Sequence, residues 1–354
     1  MGSITGSASN AAELRKRWRG EEGRERSEEA IARLLAGERL DGLGLGEHEG
    51  RVDLRGLTAP QPERLRRFEK FGIFFEQLGD MIEFRDARLE GLDLSAAVLD
   101  YLVFFHTAIT DCRLDEARCQ QWSLWAADVT DTSFRGADLR GATLGPWYEG
   151  RGNVYRGVDF SRADMRGIES LEATYIDCDF SHARLDQVEF GGSSFIRCRF
   201  AGVLRDVLFY ERAIDGEKPD PNPMEDVDFT DAELIFCDFR NLDLKRMKLP
   251  TSPDQIIVRH YPCVLRRASE RLEGDERPVA LGLLGLIENG LDWLAPGREI
   301  GIYHREEFAD KGPEGMRWVD QFLRELEAEC AEEAERRPLN RIKAGAARLL
   351  ARDR

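Results

Sequence analysis

The residues best suited to nucleophilic, acid–base or metal chemistry in this 354-residue chain are five histidines and seven cysteines. The histidines, His48, His106, His182, His260 and His304, are scattered, and none lies in a recognisable catalytic motif. The cysteines are odd in number, form no CxxC pair, and never combine with histidine at zinc-ligand spacing. The glycines of "GLGLG", at 42, 44 and 46, lack the third glycine of a dinucleotide-binding turn and a clear preceding strand, so the segment reads as a turn-rich lead-in. Asp138, Asp159 and Asp164 could serve as paired carboxylates in general acid–base work. They recur, however, at one fixed place in a repeat, just before a large apolar residue, where aspartate serves turns and solubility. Catalysis needs groups converging in a cleft. The expectation is a non-catalytic protein with no metal site and no cofactor.

Composition narrows the class further. Apolar residues make up 42% of the chain, enough for a sizeable core, and the length allows two or three domains. No uncharged apolar run reaches the roughly 18 residues of a membrane span. "MGSITGSASN" has neither the basic flank and apolar stretch of a secretory signal nor a Ser or Thr at position 6 for myristoylation. A cytoplasmic location is expected. The net charge of −16 argues against a general nucleic-acid binder.

The positioning elements show in the rhythm of "ADLRGATL", residues 137–144, which repeats every five residues and so fits neither helix nor strand. With the Leu or Phe of each unit as its centre, thirteen units run without a slip from Phe84 to Leu144. Ten more run from Tyr155 to Phe200, with Ser170 the weak centre, and five from Phe229 to Leu249. Interruptions fall at 145–154 and at about 201–226. Two residues before each centre lies a second position, mostly small. A sustained fixed period marks a solenoid.

"DFSRADMRG" and "CDFSHARLD" have the A(D/N)Lxx form of the pentapeptide-repeat family, which the chain resembles over about residues 80–250. The resemblance implies a mainly β fold: a right-handed, four-sided β-helix with one unit per side, four per coil and about seven coils. Residues twenty apart then stack, Phe180 over Phe200 and Cys178 over Cys198. The cysteine pair could be a redox or metal site, but cysteine is also a small apolar filler for the inward position. Trp122 is oversized for that position, so its coil is expected to be distorted.

Three domains are expected: 1–80 as a helical N-terminal extension and cap, 81–250 as the interrupted β-helix, and 251–354 as an α-helical C-terminal domain. Residues 11–36 read as helix ending at Gly37, and 62–79 as a helix from Pro62 that covers the first coil. "RVDLRGL", 51–57, looks like an isolated piece of repeat. Beyond Pro250, helices are expected at 278–294, 315–330 and 339–351, partly capping the rod and partly offering a homodimer surface.

The acidity belongs to the rod: residues 81–250 hold 32 acidic and 20 basic side chains. A rigid acidic rod of duplex-like width suits a basic DNA-binding channel. Within the family, the Qnr-type quinolone-resistance proteins act as DNA mimics on DNA gyrase and topoisomerase IV, and loops that interrupt their coils matter. The chain shares the interruptions but departs in its helical C-terminal domain, its N-terminal extension and its many surface arginines, Arg135, Arg140, Arg156, Arg162 and Arg166 among them. The expected function is therefore a topoisomerase-binding DNA mimic, with inhibitor resistance as its outcome, or a protein–protein interaction scaffold with an unrelated partner. The expected partner surface is aromatic. Phe105 and Trp125 each follow a centre, point outward and stack, and Trp147 and Tyr148 of the first interruption emerge beside them as cover or anchors.

Overall fold

The structure, a computed structural model, describes residues 5–70, 73–145 and 147–350. Its unit is a corner. Two residues after most centres the backbone enters the left-handed region, with φ +65° at Gly136, +68° at Gly141 and +69° at Gly167. Asp111, Asp131 and Asn241 take the same place elsewhere, residue types that tolerate this conformation better than most. The aspartate before the centre closes the corner as an Asx turn. Asp159 accepts the Ser161 N–H at 2.8 Å and Asp179 the Ser181 N–H at 2.8 Å.

Four corners return the chain to the next layer. On one face, strands Glu83–Arg85, Val103–Phe105 and Ser123–Trp125 pair in parallel at a twenty-residue offset. The next face is a six-stranded parallel sheet from Arg88–Glu90 to Ser194–Ile196. The other two faces are runs of single parallel bridges, one through Asp93, Arg113, Ser133 and Asp159, the other through Val98, Arg118, Asp138 and Asp164. These four ladders make a β-helix solenoid. Inside it the centres stack along the axis: Phe134 on Phe160 at 5.5 Å, Phe160 on Phe180 at 5.1 Å, Phe180 on Phe200 at 4.8 Å and Phe200 on Phe229 at 4.9 Å. The weak centre Ser170 has a purpose, since its hydroxyl meets the buried Tyr175 hydroxyl at 2.8 Å.

The coil around Trp122 is not distorted, contrary to expectation. Ser123 pairs in register with both Val103 and Thr143. The buried indole donates to the Leu99 carbonyl and packs against Phe104 at 4.7 Å. The preceding centre is Cys119, which leaves volume that a leucine or phenylalanine would fill. Cys178 and Cys198 are buried, their thiols on the Tyr155 and Tyr175 carbonyls, as inward fillers would be.

The ladder starts before residue 81. Val52 pairs with Leu92, Asp53 with Asp93, and Thr58 with Val98, all in parallel. Residues 51–59 thus form two sides of the first coil, and a further insertion separates them from Phe84. The helix expected over 62–79 is instead an antiparallel hairpin of strands Arg64–Lys70 and Ile73–Leu78. Its phenylalanines and isoleucine favour extended backbone; its side chains lie outside the described residues. The first coil is covered by two other helices, α1 (Thr5–Lys16) and α2 (Gly20–Ala36). Ile31 and Leu34 of α2 lie over Leu57, Phe84 and Leu89. Gly37 stops α2 in the left-handed conformation and donates to the Leu34 carbonyl.

The second interruption is narrower than 201–226. Gly202–Arg205 pairs with Ala232–Ile235, and Leu208–Tyr210 pairs with Asp238–Arg240. One residue is missing between Phe200 and Leu204, which breaks the five-residue phase without breaking the coil. At the two insertions that follow Leu144 and Tyr210, an asparagine takes the small inward position and substitutes for ladder bonds. Asn153 accepts from Ala127 N at 2.8 Å and donates to Leu124 O at 2.8 Å. Asn222 accepts from Phe195 N at 3.1 Å and Met224 N at 3.0 Å.

The C-terminal region holds α3 (Tyr261–Leu272), α4 (Pro278–Asp292) and α5 (Gly312–Leu350). It is not purely helical. An antiparallel strand pair, Gln255–Arg259 and Ile300–His304, with α3 and α4 between its strands in the chain, meets the last coil, with Ile302 joining the solenoid core. The two helices expected at 315–330 and 339–351 are one helix, α5; residue 351 lies outside the described residues. Side chains close the open ladder end. Gln255 accepts from Leu234 N and donates to Leu234 O, both at 3.0 Å. Buried Arg298 donates to Phe239 O at 2.6 Å, and Glu307 accepts from Phe236 N at 2.9 Å. A disulfide, Cys263–Cys330, ties α3 to α5; such bonds are commonest outside the reducing cytoplasm. Among the described residues, no helix is long and apolar enough to cross a membrane.

Three outcomes follow, each read by denaturant or thermal melts. Phe180→Ala opens a hole between two stacked rings and should cost about 3–5 kcal/mol. Asn153→Ala leaves the buried Ala127 N–H and Leu124 carbonyl unpaired and should cost about 1–3 kcal/mol. Burial raises the Glu307 carboxyl from its ordinary 4.5 up to about 7. The folded state therefore holds a proton that the unfolded state has lost, and stability should fall as pH rises through that window. Glu307→Gln should flatten that slope; an unchanged slope would assign the dependence to another group.

Candidate protein-binding surface

The twenty-residue ladder places Arg85, Phe105 and Trp125 in one outward column. Phe105 and Trp125 stack at 6.3 Å with a 15° tilt, and the Arg85 guanidinium sits 4.1 Å from the Phe105 ring centre. The first insertion folds back over this column as a small turn, with Tyr148 and Arg151 exchanging backbone hydrogen bonds at 2.8 and 3.1 Å. Tyr148 is thereby held 5.5 Å from Phe105, 5.7 Å from Trp125 and 5.7 Å from His106, ring centre to ring centre. Glu149 pairs with His106 at 3.0 Å, and Arg151 with Asp128 at 2.7 Å, pinning the turn from both sides. Desolvation and the neighbouring Glu149 carboxylate raise the Tyr148 hydroxyl pKa, keeping it neutral.

Of the four aromatic residues expected to form one surface, three meet. Trp147 packs instead on Gly152, where a Cβ would come 3.3 Å from its ring. All four remain half-buried. The sequence reading missed Arg85 and His106. Arg85 was recoverable, since it stands twenty residues before Phe105. His106 was not, because its place depends on the fold of the loop.

The second insertion docks beside the same corner. Lys218 donates its backbone N–H to Glu172 Oε1 at 2.6 Å and its ammonium to Gly192 O at 3.2 Å, Ala173 O at 3.3 Å and Ser194 Oγ. Burial lowers the Lys218 pKa to about 8. The acceptors are main-chain carbonyls and a hydroxyl, so the lysine is a clamp for the loop. Gly192, at φ +65°, allows the approach; a Cβ there would lie 2.5 Å from Ala213 N. Acid and base alternate along the faces of the solenoid. Arg140 binds Asp138 at 2.7 Å, Arg118 binds Asp100 at 2.6 Å, Arg197 binds Asp177 at 2.7 Å and Lys248 binds Asp228 at 2.9 Å. Among the described residues, no group of three or more His, Cys, Asp or Glu is placed to hold a metal ion.

Residues 112–145 match the family model for pentapeptide repeats, in eight copies. No curated protein matches the chain by sequence. Solved structures similar to it include the pentapeptide repeat protein Rfr23 of the cyanobacterium Cyanothece 51142, at 13% identity over 38% of this chain and 88% of that one, with a TM-score of 0.26. A trypsin-treated variant of QnrB1, a plasmid-mediated fluoroquinolone resistance protein, is 17% identical over 48% of this chain and 80% of its own, with a TM-score of 0.25. HetL of Nostoc sp. strain PCC 7120, involved in heterocyst differentiation regulation, is 15% identical over 47% of this chain and 76% of its own, with a TM-score of 0.20. The chain thus carries pentapeptide repeats, whose five-residue corners stack at a twenty-residue offset.

Proposed function

We propose that the chain is a non-catalytic interaction scaffold that binds a protein partner through Phe105, Trp125, Trp147 and Tyr148. The observation that carries this is the seating of Tyr148 on the Phe105–Trp125 column, which holds three rings half-exposed with little freedom left to lose. Rigid aromatic anchors with charged neighbours, here Arg85, His106 and Glu149, are the usual centre of a protein interface. The ion-paired faces favour this reading over DNA mimicry, because paired acids present a weaker continuous negative field than a phosphate backbone does.

One observation favours the second reading, a DNA mimic acting on DNA gyrase or topoisomerase IV: the excess of 32 acidic over 20 basic residues in 81–250. QnrB1, a fluoroquinolone resistance protein, is among the similar structures, at low identity.

Two measurements separate the readings. Tyr148→Ala should leave the melting curve nearly unchanged, yet abolish capture of the partner retained by affinity purification from the host. A large loss of stability with capture intact would make the loop a cover only. In a supercoiling assay with purified gyrase, with and without a fluoroquinolone, the scaffold reading expects neither inhibition nor protection. An effect that weakens steeply with added salt would put the mimic first, since exposed charge is screened over roughly 10 Å at 0.1 M salt.

A further inference from the structure

At the N-terminal end of the solenoid a cavity of about 460 Å³ opens between the α1–α2 junction and the first coil, lined by Arg15, Arg19, Arg24, Trp18, Ala59 and Pro60 among others. Three guanidinium groups border it, against one carboxylate, Glu28. Arg15 is anchored by its Nε to the Ala96 carbonyl at 2.8 Å. Burial lowers its pKa, and so do the neighbouring cations Arg118 and Arg19, while Asp100, the ion-pair partner of Arg118, acts in the opposite sense. Among the described residues, the guanidinium groups of Arg19 and Arg24 make no hydrogen bond or ion pair. Most of the described arginines are held by carboxylates, as Arg17 is by Asp53 at 2.8 Å close by. The first N–H groups of α2, which begins at Gly20 without a side-chain cap, add to the positive field at the same rim.

We propose that this cavity binds a phosphoryl group carried by a small organic molecule. Guanidinium forks match the paired oxygens of a phosphate, and a dianion offsets the charge that three unneutralised arginines concentrate. The volume exceeds what a free phosphate fills, and Ala59 and Pro60 offer an apolar wall for the organic part. The site shares no residue with the aromatic surface and does not depend on that reading.

Titration calorimetry on the full chain, with phenyl phosphate and inorganic phosphate as probes at fixed ionic strength in chloride, tests it. One saturable site is expected, with phenyl phosphate the tighter probe. Arg19→Ala with Arg24→Ala should weaken binding about tenfold or more and leave melting unchanged, because both side chains are exposed and unpaired. Glu28→Gln should tighten it. No saturable heat at millimolar probe, or equal affinity in the double variant, overturns the site. Equal affinity for the two probes overturns the organic part of the ligand.

Discussion

The structure depends on one constraint, the register of a parallel backbone ladder that repeats every twenty residues. Ladder N–H groups find carbonyls in the layer on either side, as Asp86 N does with Phe105 O at 3.0 Å and Val103 N with Ile82 O at 3.0 Å. Unpaired backbone groups inside the rod would cost about as much as lost hydrogen bonds. Every departure from twenty residues must therefore be repaired locally. Asn153 and Asn222 repair the two loops with their amides, and Gln255, Arg298 and Glu307 close the last layer with side chains where no further coil follows.

The same register that fixes the backbone fixes the side chains. Inward, it stacks phenylalanine on phenylalanine near 5 Å, so the core is a column of rings, each dependent on the layers above and below. Outward, it stacks Arg85, Phe105 and Trp125 with the same regularity, and the first loop closes over them. The candidate binding surface is thus a by-product of register. A column of outward aromatics arises wherever two such residues stand twenty apart, and an insertion in the next layer supplies what covers or completes it. The N-terminal arginine cavity has another origin, the junction between a helical cap and the first corner, where repeat geometry ends and nothing forces acids and bases to alternate.

Much of this was legible in the sequence because the corner is a local structure. Its left-handed position, its Asx aspartate and its inward pair lie within five residues, so the period announces the solenoid and the twenty-residue stack gives Phe105–Trp125 and even Arg85. Tyr148 beside that column could be expected from where the first interruption begins. The period also misled where the phase slipped. A single missing residue before Leu204 hid two sides of a coil, and the first coil, cut off by the 60–79 insertion, looked like a stray fragment in "RVDLRGL".

The sequence by itself determined the repeat, its inward and outward positions and the concentration of acid on the rod, since each is set by residues close along the chain. Only the tertiary structure decided that Trp122 fits, because the room for its indole comes from Cys119 and from a carbonyl 23 residues away. Only the tertiary structure decided that α2 and the strand pair ending at His304 cover the two ends, that Tyr148 and not Trp147 completes the aromatic cluster, and that Cys263 meets Cys330 across 67 residues. These contacts join segments with no common period, and packing alone sets their distances.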